Sequence, residues 1–192
     1  MKGAAVLRLG IISDTHGDAR VWDELLAGPF AGVDAICHAG DLLYHGPRNP
    51  LPAGYDPEKL AARINACPVP VFVARGNCDA DVDQLLLELP IQSPYVYLSV
   101  EGLRLLVNHG DTTTTEQKWE LARRYRVRVF VFGHTHEPFL EQQGDAVLLN
   151  PGSPALPKGD GTPTVALVDP EGVRIIDVRD GRVYRELRVR LP

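Results

Sequence analysis

Five apolar stretches of this chain each run into a short polar signature: SDTHG (13–17), AGD (39–41), RGNCD (75–79), NHGD (108–111) and GHTH (133–136). One Asp or His at a strand end is ordinarily a cap or a hydrogen-bonded core residue. Five such ends, each beside a glycine, would need five separate explanations of that kind. In an α/β sheet the carboxyl ends of the strands converge on one edge, the usual place for a ligand. The pattern therefore predicts a sheet edge that gathers Asp14, His16, Asp41, Asn77, His109, His134 and His136. Side-chain alternation along a strand would put Asp14 with His16, and His134 with His136, on one side each.

The rest of the chain supplies elements to carry these ends. Strands are predicted at 5–13, 33–39, 69–75, 95–100, 103–109 and 127–133. Between them, 18–27, 57–66 and 114–125 have helical spacing, with Asp18, Asp56 and Thr113 or Thr114 as N-caps and Pro57 in a first turn. The tail changes character: 137–149, 163–169, 172–178 and 181–191 read as strands joined by Gly-Asp, Glu-Gly and Asp-Gly turns, a signal for antiparallel hairpins. This mixture predicts an α/β (α+β) fold in which two packed β-sheets are flanked by helices. At 192 residues, 44% of them hydrophobic, the chain suits a single domain over 1–192. One connection, LLYHGPRNPLPAGYDP (42–57), is long, aperiodic and proline-rich, which marks a functional or mobile loop.

Bulk properties exclude several classes. The formal net charge of −5 offers no global field for nucleic acid or anionic membrane. No uncharged run approaches the roughly 18 residues of a spanning helix. The opening MKGAAVLRLGIISD carries Arg8 and Asp14, so it reads as a strand and not as a leader, and a cytoplasmic location is expected. Cys37, Cys67 and Cys78 are odd in number and share no C-x-x-C spacing, which argues against a disulfide framework or a redox pair.

Carboxylates, imidazoles and one amide oxygen suit a divalent metal of intermediate hardness, such as Mn, Fe, Zn or Ni. Seven ligands exceed what one catalytic ion with open positions can take. If one carboxylate bridges, they supply four contacts to each of two ions. Two such ions keep excess positive charge over Asp14 and Asp41, which calls for an anionic substrate, and paired ions are a known clamp for phosphoryl oxygens.

The order D-x-H, G-D, G-N-x-D, H-G and G-H-T-H resembles the calcineurin-like metallophosphoesterases. HGPRN (45–49), RGNCD, and NPGS followed by PKG (150–153, 157–159) make it similar to the small bacterial YfcE-type phosphodiesterases, from Ile11 to about Gly161. The resemblance implies a four-layer αββα metallophosphoesterase fold and a dinuclear centre, with Mn²⁺ the expected metal. It implies hydrolysis of a small-molecule phosphodiester by attack of metal-bound hydroxide. Carried over by position, Asp14, His16 and His136 resemble the ligands of one ion. Asn77, His109 and His134 resemble those of the other, and Asp41 the bridge. Asn77, Cys78 and Asp79 fall where the family keeps catalytic residues. Most of the wider superfamily has a histidine where this chain has Cys78, one that contacts phosphate and protonates the leaving oxygen; the YfcE-type group shares the cysteine. A thiol titrates near 8.5 and imidazole near 6.5, so Cys78 is the poorer acid at neutral pH.

His45 and Arg48, on the long loop after Asp41, are candidate substrate contacts together with Cys78. An arginine there suits a fork onto phosphate, with a loop-internal ion pair as the competing reading. His38 has the opposite strand parity to Asp41 and reads as a packed, supporting histidine. Arg75 faces the site or merely holds its turn. Arg174, Arg179, Arg182, Arg185, Arg188 and Arg190 alternate with acids, as on a solvated strand that protects a sheet edge. Three alternatives stand beside the phosphodiesterase: a phosphomonoesterase, a nucleotide-polyphosphate hydrolase, and a non-catalytic scaffold like the eukaryotic retromer subunit that this fold resembles. GDLLYHG lacks the G-D-x-x-D-R-G of protein phosphatases and diadenosine tetraphosphatases, and no expected metal ligand is missing, which weighs against a scaffold. No nucleic-acid or membrane partner is expected, and a homo-oligomer is compatible with the sequence.

Overall fold

The computed structural model describes residues 7–191; the part of the first predicted strand before Leu7 lies outside them. The chain begins by alternating short parallel strands with helices: β1 (Leu9–Ile12), α1 (Ala19–Ala27), β2 (Ala35–His38), α2 (Pro57–Asn65) and β3 (Val71–Ala74). A two-residue strand, β4 (Ile91–Gln92), follows a short 3₁₀ turn over Asp81–Leu85; neither was predicted. Next come β5 (Val96–Val100), β6 (Leu103–Val107), α3 (Thr115–Arg124) and β7 (Val129–Val131). Hairpin strands complete the chain: β8 (Pro138–Gln143), β9 (Ala146–Pro151), β10 (Thr164–Asp169), β11 (Gly172–Asp177) and β12 (Val183–Leu187).

These strands form two mixed sheets, one ordered β12-β11-β10-β1-β2-β3-β4 and the other β5-β6-β7-β9-β8. β1 lies parallel to β2 and antiparallel to β10, so the tail hairpins return to extend the first sheet beside its founding strand. Alternation decides which residues face where. Leu9, Ile11 and Cys37 join Leu105, Val107, Val129 and Val147 between the sheets, while Ile12 and Ile36 face Trp22, Leu25, Leu60 and Ile64 of α1 and α2. Leu106, Phe130 and Leu148 face the other way, under Ala122 of α3. The result is the four-layer αββα arrangement that the pattern predicted. Its helices start at the expected caps. The Asp18 and Asp56 carboxylates accept backbone amides of α1 and α2, and Thr114 forms a reciprocal capping box with Gln117 on α3.

Candidate metal centre

β1, β2 and β3 run parallel, as do β6, β7 and β9 in the facing sheet, so the polar signatures after them meet at one end of the sandwich. Strand alternation is not what aims them. β1 ends at Ile12, and Asp14 and His16 both follow it with positive φ, 55° and 45°. Asp41, His134 and His136 also take left-handed backbone, at 58°, 70° and 61°. Such φ values are uncommon for residues with a Cβ, and they cluster where a surrounding scaffold enforces them for function. Here the scaffold is a set of loop–loop hydrogen bonds: Asp14 N–H donates to the Gly40 carbonyl and His16 N–H to that of Asp41, each at 3.0 Å. The loops pack so closely that a Cβ on Gly40, itself at φ 97°, would lie 2.6 Å from Gly76 N and 2.9 Å from His109 Nδ1.

The structure brings all seven predicted ligands together, as two groups around Asp41. In the first, His136 Nε2 lies 3.3 Å and His16 Nε2 3.7 Å from Asp14 Oδ1. In the second, Asn77 Oδ1 lies 3.1 Å from His109 Nε2 and 2.8 Å from His134 Nδ1. Asp41 Oδ2 stands between them, 3.8 Å from His16 Nε2 and 3.3 Å from His109 Nε2. The first group is fully buried, whereas Asn77 is exposed and His134 half-buried, so the centre opens on the Asn77–His134 side.

The donor chemistry fits cations. His16, His109 and His136 each direct Nδ1 at a backbone carbonyl, those of Tyr44, Ala39 and Leu156, at 2.7–2.8 Å. An N–H on each Nδ1 leaves a lone pair at Nε2. The Nε2 atoms of His16 and His136 then face one another 3.1 Å apart, an arrangement that needs a cation or a proton between them. Asp14 Oδ1, at their side, is buried without a hydrogen-bond partner. Electrostatics agree. Burial opposes ionisation of Asp14, yet His16, His109 and His136 hold its carboxyl below the usual range. Burial likewise opposes charge on His109, but Asp41 and Asp14 draw it up to about 9, so the cluster attracts positive charge.

Asp79 contributes differently. Its two oxygens accept the amides of Asp41 (2.9 Å), Leu42 (2.7 Å) and Gly76 (2.7 Å), tying the loop after β2 to that after β3. With both oxygens committed to backbone, and burial pushing the group up to about 6, its contacts are those of a positioning residue. Cys78 lies at the rim, its N–H donating to Asp41 Oδ1 (2.8 Å) and its Sγ accepting from Asn77 Nδ2 (3.3 Å). The long loop crosses directly above, since a Cβ on Gly46 would lie 3.0 Å from that sulfur. This brings His45, packed edge-on between Tyr44 and Tyr55, to the same rim. Arg48 is exposed and has no carboxylate partner among the described residues, so the competing ion pair is absent there. His38 is buried between the loops, accepting from Gly40 N–H (3.1 Å) and within 3.0 Å of Thr15 Oγ1. Arg75 holds its turn, through the Asp79 carbonyl and Asp81.

Sequence reasoning missed the backbone carbonyls that orient the three imidazoles and the Ser153 hydroxyl, which donates to the Asp14 carbonyl at 2.8 Å. NPGS was legible as a turn, but its contact with residue 14 spans 139 positions.

Residues 7–172 match the calcineurin-like phosphoesterase superfamily domain. The chain belongs to that superfamily. Within it, the chain is 36% identical to phosphodiesterase YfcE of Escherichia coli over 96% of its own length and 99% of the relative's. It is 33% identical to a probable metallophosphoesterase of Methanothermobacter thermautotrophicus, covering 95% and 98% of the two chains. The solved structure of the E. coli phosphoesterase superposes with a TM-score of 0.83 at 33% identity, covering 95% of this chain and all of that one. Vacuolar protein sorting 29 of Cryptosporidium parvum shares the fold at a TM-score of 0.70, with 17% identity over 96% and 99% of the chains.

Proposed function

We propose that this phosphoesterase is a phosphodiesterase working with two divalent ions, for which Mn²⁺ is the best match to a mixed set of carboxylate, amide and imidazole donors. The observation that carries the reading is Asp41 Oδ2, placed within 4 Å of an imidazole from each group. The identity to the E. coli phosphodiesterase supports the choice of diesters. Asp14, His16 and His136 would hold one ion and Asn77, His109 and His134 the other, with Asp41 shared. Paired ions of this kind would supply charge to clamp phosphoryl oxygens and to acidify an attacking water.

The chain's own residues do the rest. The carbonyls of Ala39, Tyr44 and Leu156 fix the imidazole tautomers, and Asp79 fixes the two loops that carry Asp41 and Asn77. Substrate would enter from the Asn77–His134 side past Cys78, with His45 and the exposed Arg48 of the long loop as candidate contacts, the guanidinium of Arg48 suiting a phosphate oxygen. By the family resemblance Cys78 would stand where a leaving oxygen is protonated, and a thiol is a poorer acid than imidazole at neutral pH. The leaving group therefore departs without a strong acid beside it. Three unpaired cysteines support a reducing, cytoplasmic setting.

The test is a panel of phosphodiesters and monoesters hydrolysed by metal-stripped protein with single divalent ions added back. Diesters should be preferred, with Mn²⁺ restoring more activity than Mg²⁺. A preference for monoesters would replace this reading by the phosphomonoesterase one, and activity surviving complete chelation would refute both.

A further inference from the structure

A groove of about 850 Å³ lies at the opposite end of the second sheet from the metal centre, and five arginines line it: Arg104, Arg123, Arg126, Arg128 and Arg190. Arg104 precedes His109 by five residues along β6, about 16 Å of strand, so the two sites are separate. A single acid, Asp145, shares the groove, and it pairs with Arg128 at 3.2 Å. The other four arginines have no carboxylate partner among the described residues. Outside the groove several arginines pair with acids, among them Arg63 with Asp23, Arg75 with Asp81, Arg174 with Asp169, Arg179 with Asp177 and Arg188 with Glu186, whereas Arg8, Arg48, Arg124 and Arg185 have no carboxylate partner among the described residues. Four of the arginines that lack a partner line this one concavity, a local positive excess in a chain of net charge −5.

The groove has the build of a ligand site. Arg128 is braced by the carbonyls of Asp145 and Arg190, and Arg123 by Gln143 Oε1 at 3.2 Å. Its floor is apolar, formed by the buried side chains of Ala122, Val127, Ala146 and Leu191. Its volume falls within the roughly 300–1,000 Å³ of small-molecule pockets. Planar guanidiniums bind phosphate oxygens in pairs, and several together suit a ligand carrying more than one phosphate. The apolar floor suits a carbon body attached to those phosphates. An extended nucleic acid would need a basic stripe continuing beyond one concavity, which the acidic balance of the chain does not offer.

We infer that this arginine groove is a second binding site, specific for a small organic polyphosphate such as a nucleoside triphosphate. Methyl NMR of the full chain, loaded with diamagnetic zinc and titrated with β,γ-methylene ATP, locates the ligand directly. The methyls of Val127, Ala146 and Leu191 should shift along a saturable isotherm that weakens with added salt. Arg104→Gln with Arg126→Asn should weaken that isotherm at least tenfold while leaving phosphodiester hydrolysis unchanged; both side chains are exposed, and Asn tolerates the φ of 52° at position 126. Adenosine without phosphates should produce no such shift. Perturbation confined to the metal centre, an isotherm indifferent to the double substitution, or tighter binding of an 18-nucleotide oligomer at equal phosphate concentration would each overturn the inference.

Discussion

At the scale of single residues, the proposed reading gives Cys78 a part in leaving-group departure and Asp41 a part in holding the metals. Cys78 donates its amide to Asp41 Oδ1, and a thiol is a poorer acid than imidazole at neutral pH, so on the proposed reading leaving oxygens would depart almost as anions. The rate should then depend steeply on leaving-group pKa. General acid catalysis is typically worth about 10²–10⁴-fold when geometry is right, and a grafted imidazole under the Gly46 loop should realise a fraction of it. Cys78→His is expected to raise rates for alkyl diesters by roughly tenfold, to change nitrophenyl diesters little, and to flatten the plot of log rate against leaving-group pKa. An unchanged slope with both ions still bound would reduce Cys78 to a neighbour of the site. Asp41 has a different signature. Asp41→Ala should lower the bound metal below two per chain and cut hydrolysis by more than about 100-fold, beyond the cost of losing a supporting hydrogen bond. Asp81→Ala is the control, because that carboxylate is 93% exposed and, among the described residues, pairs only with Arg75. Equal metal content and rates in the two variants would show that Asp41 is not shared.

At the scale of elements, the loop over residues 42–57 is held through the start of α1. Asp18 caps that helix by accepting from Arg20 and Val21, and its other oxygen accepts from Gly54 N–H at 3.2 Å. Asp56 N–H returns to the Gly17 carbonyl at 2.8 Å. Losing the cap alone costs about 1 kcal/mol. Asp18→Ala should therefore destabilise the chain by about 1–2 kcal/mol and admit limited proteolysis within 44–55 before global unfolding. A denaturation midpoint and a timed digest read both, and an intact loop in the variant would show that other contacts pin it. The cap itself was legible, because Asp18 stands directly before an amphipathic run. So were β1, β2 and β6, whose apolar runs end in glycine-flanked polar residues. What resisted reading was non-local or irregular. β4 is two residues long and exists through its pairing with β3, and the 3₁₀ turn over Asp81–Leu85 exposes Val82 and Leu85 with no helical stripe to announce it. The grouping of the ligands was legible, but the means was not: left-handed backbone at five of them replaces the alternation that the sequence suggested.

At the scale of the whole molecule, the two sheets come together across a centre that neither could build alone. Asp14, His16, Asp41 and Asn77 follow strands of the first sheet, and His109, His134 and His136 follow strands of the second. Any cation held by both sets links the halves of the sandwich and stabilises the folded state over the unfolded one. The same fold appears in vacuolar protein sorting 29 at 17% identity, and a fold alone does not fix a function. Stability measurements test the cation link between the sheets. A ligand binding only the folded state contributes about 2.7 kcal/mol at a hundred times its dissociation constant. For a chain of this length that corresponds to roughly 5–10 °C in Tm. Wild type should gain a shift of that size on adding Mn²⁺ to stripped protein. Asp41→Ala should gain much less, and Arg104→Gln, remote from the centre, should gain the full amount. A Tm that does not move in wild type would mean that Mn²⁺ does not bind the folded state in preference to the unfolded one. An equal shift in Asp41→Ala would place the stabilising cation away from residue 41.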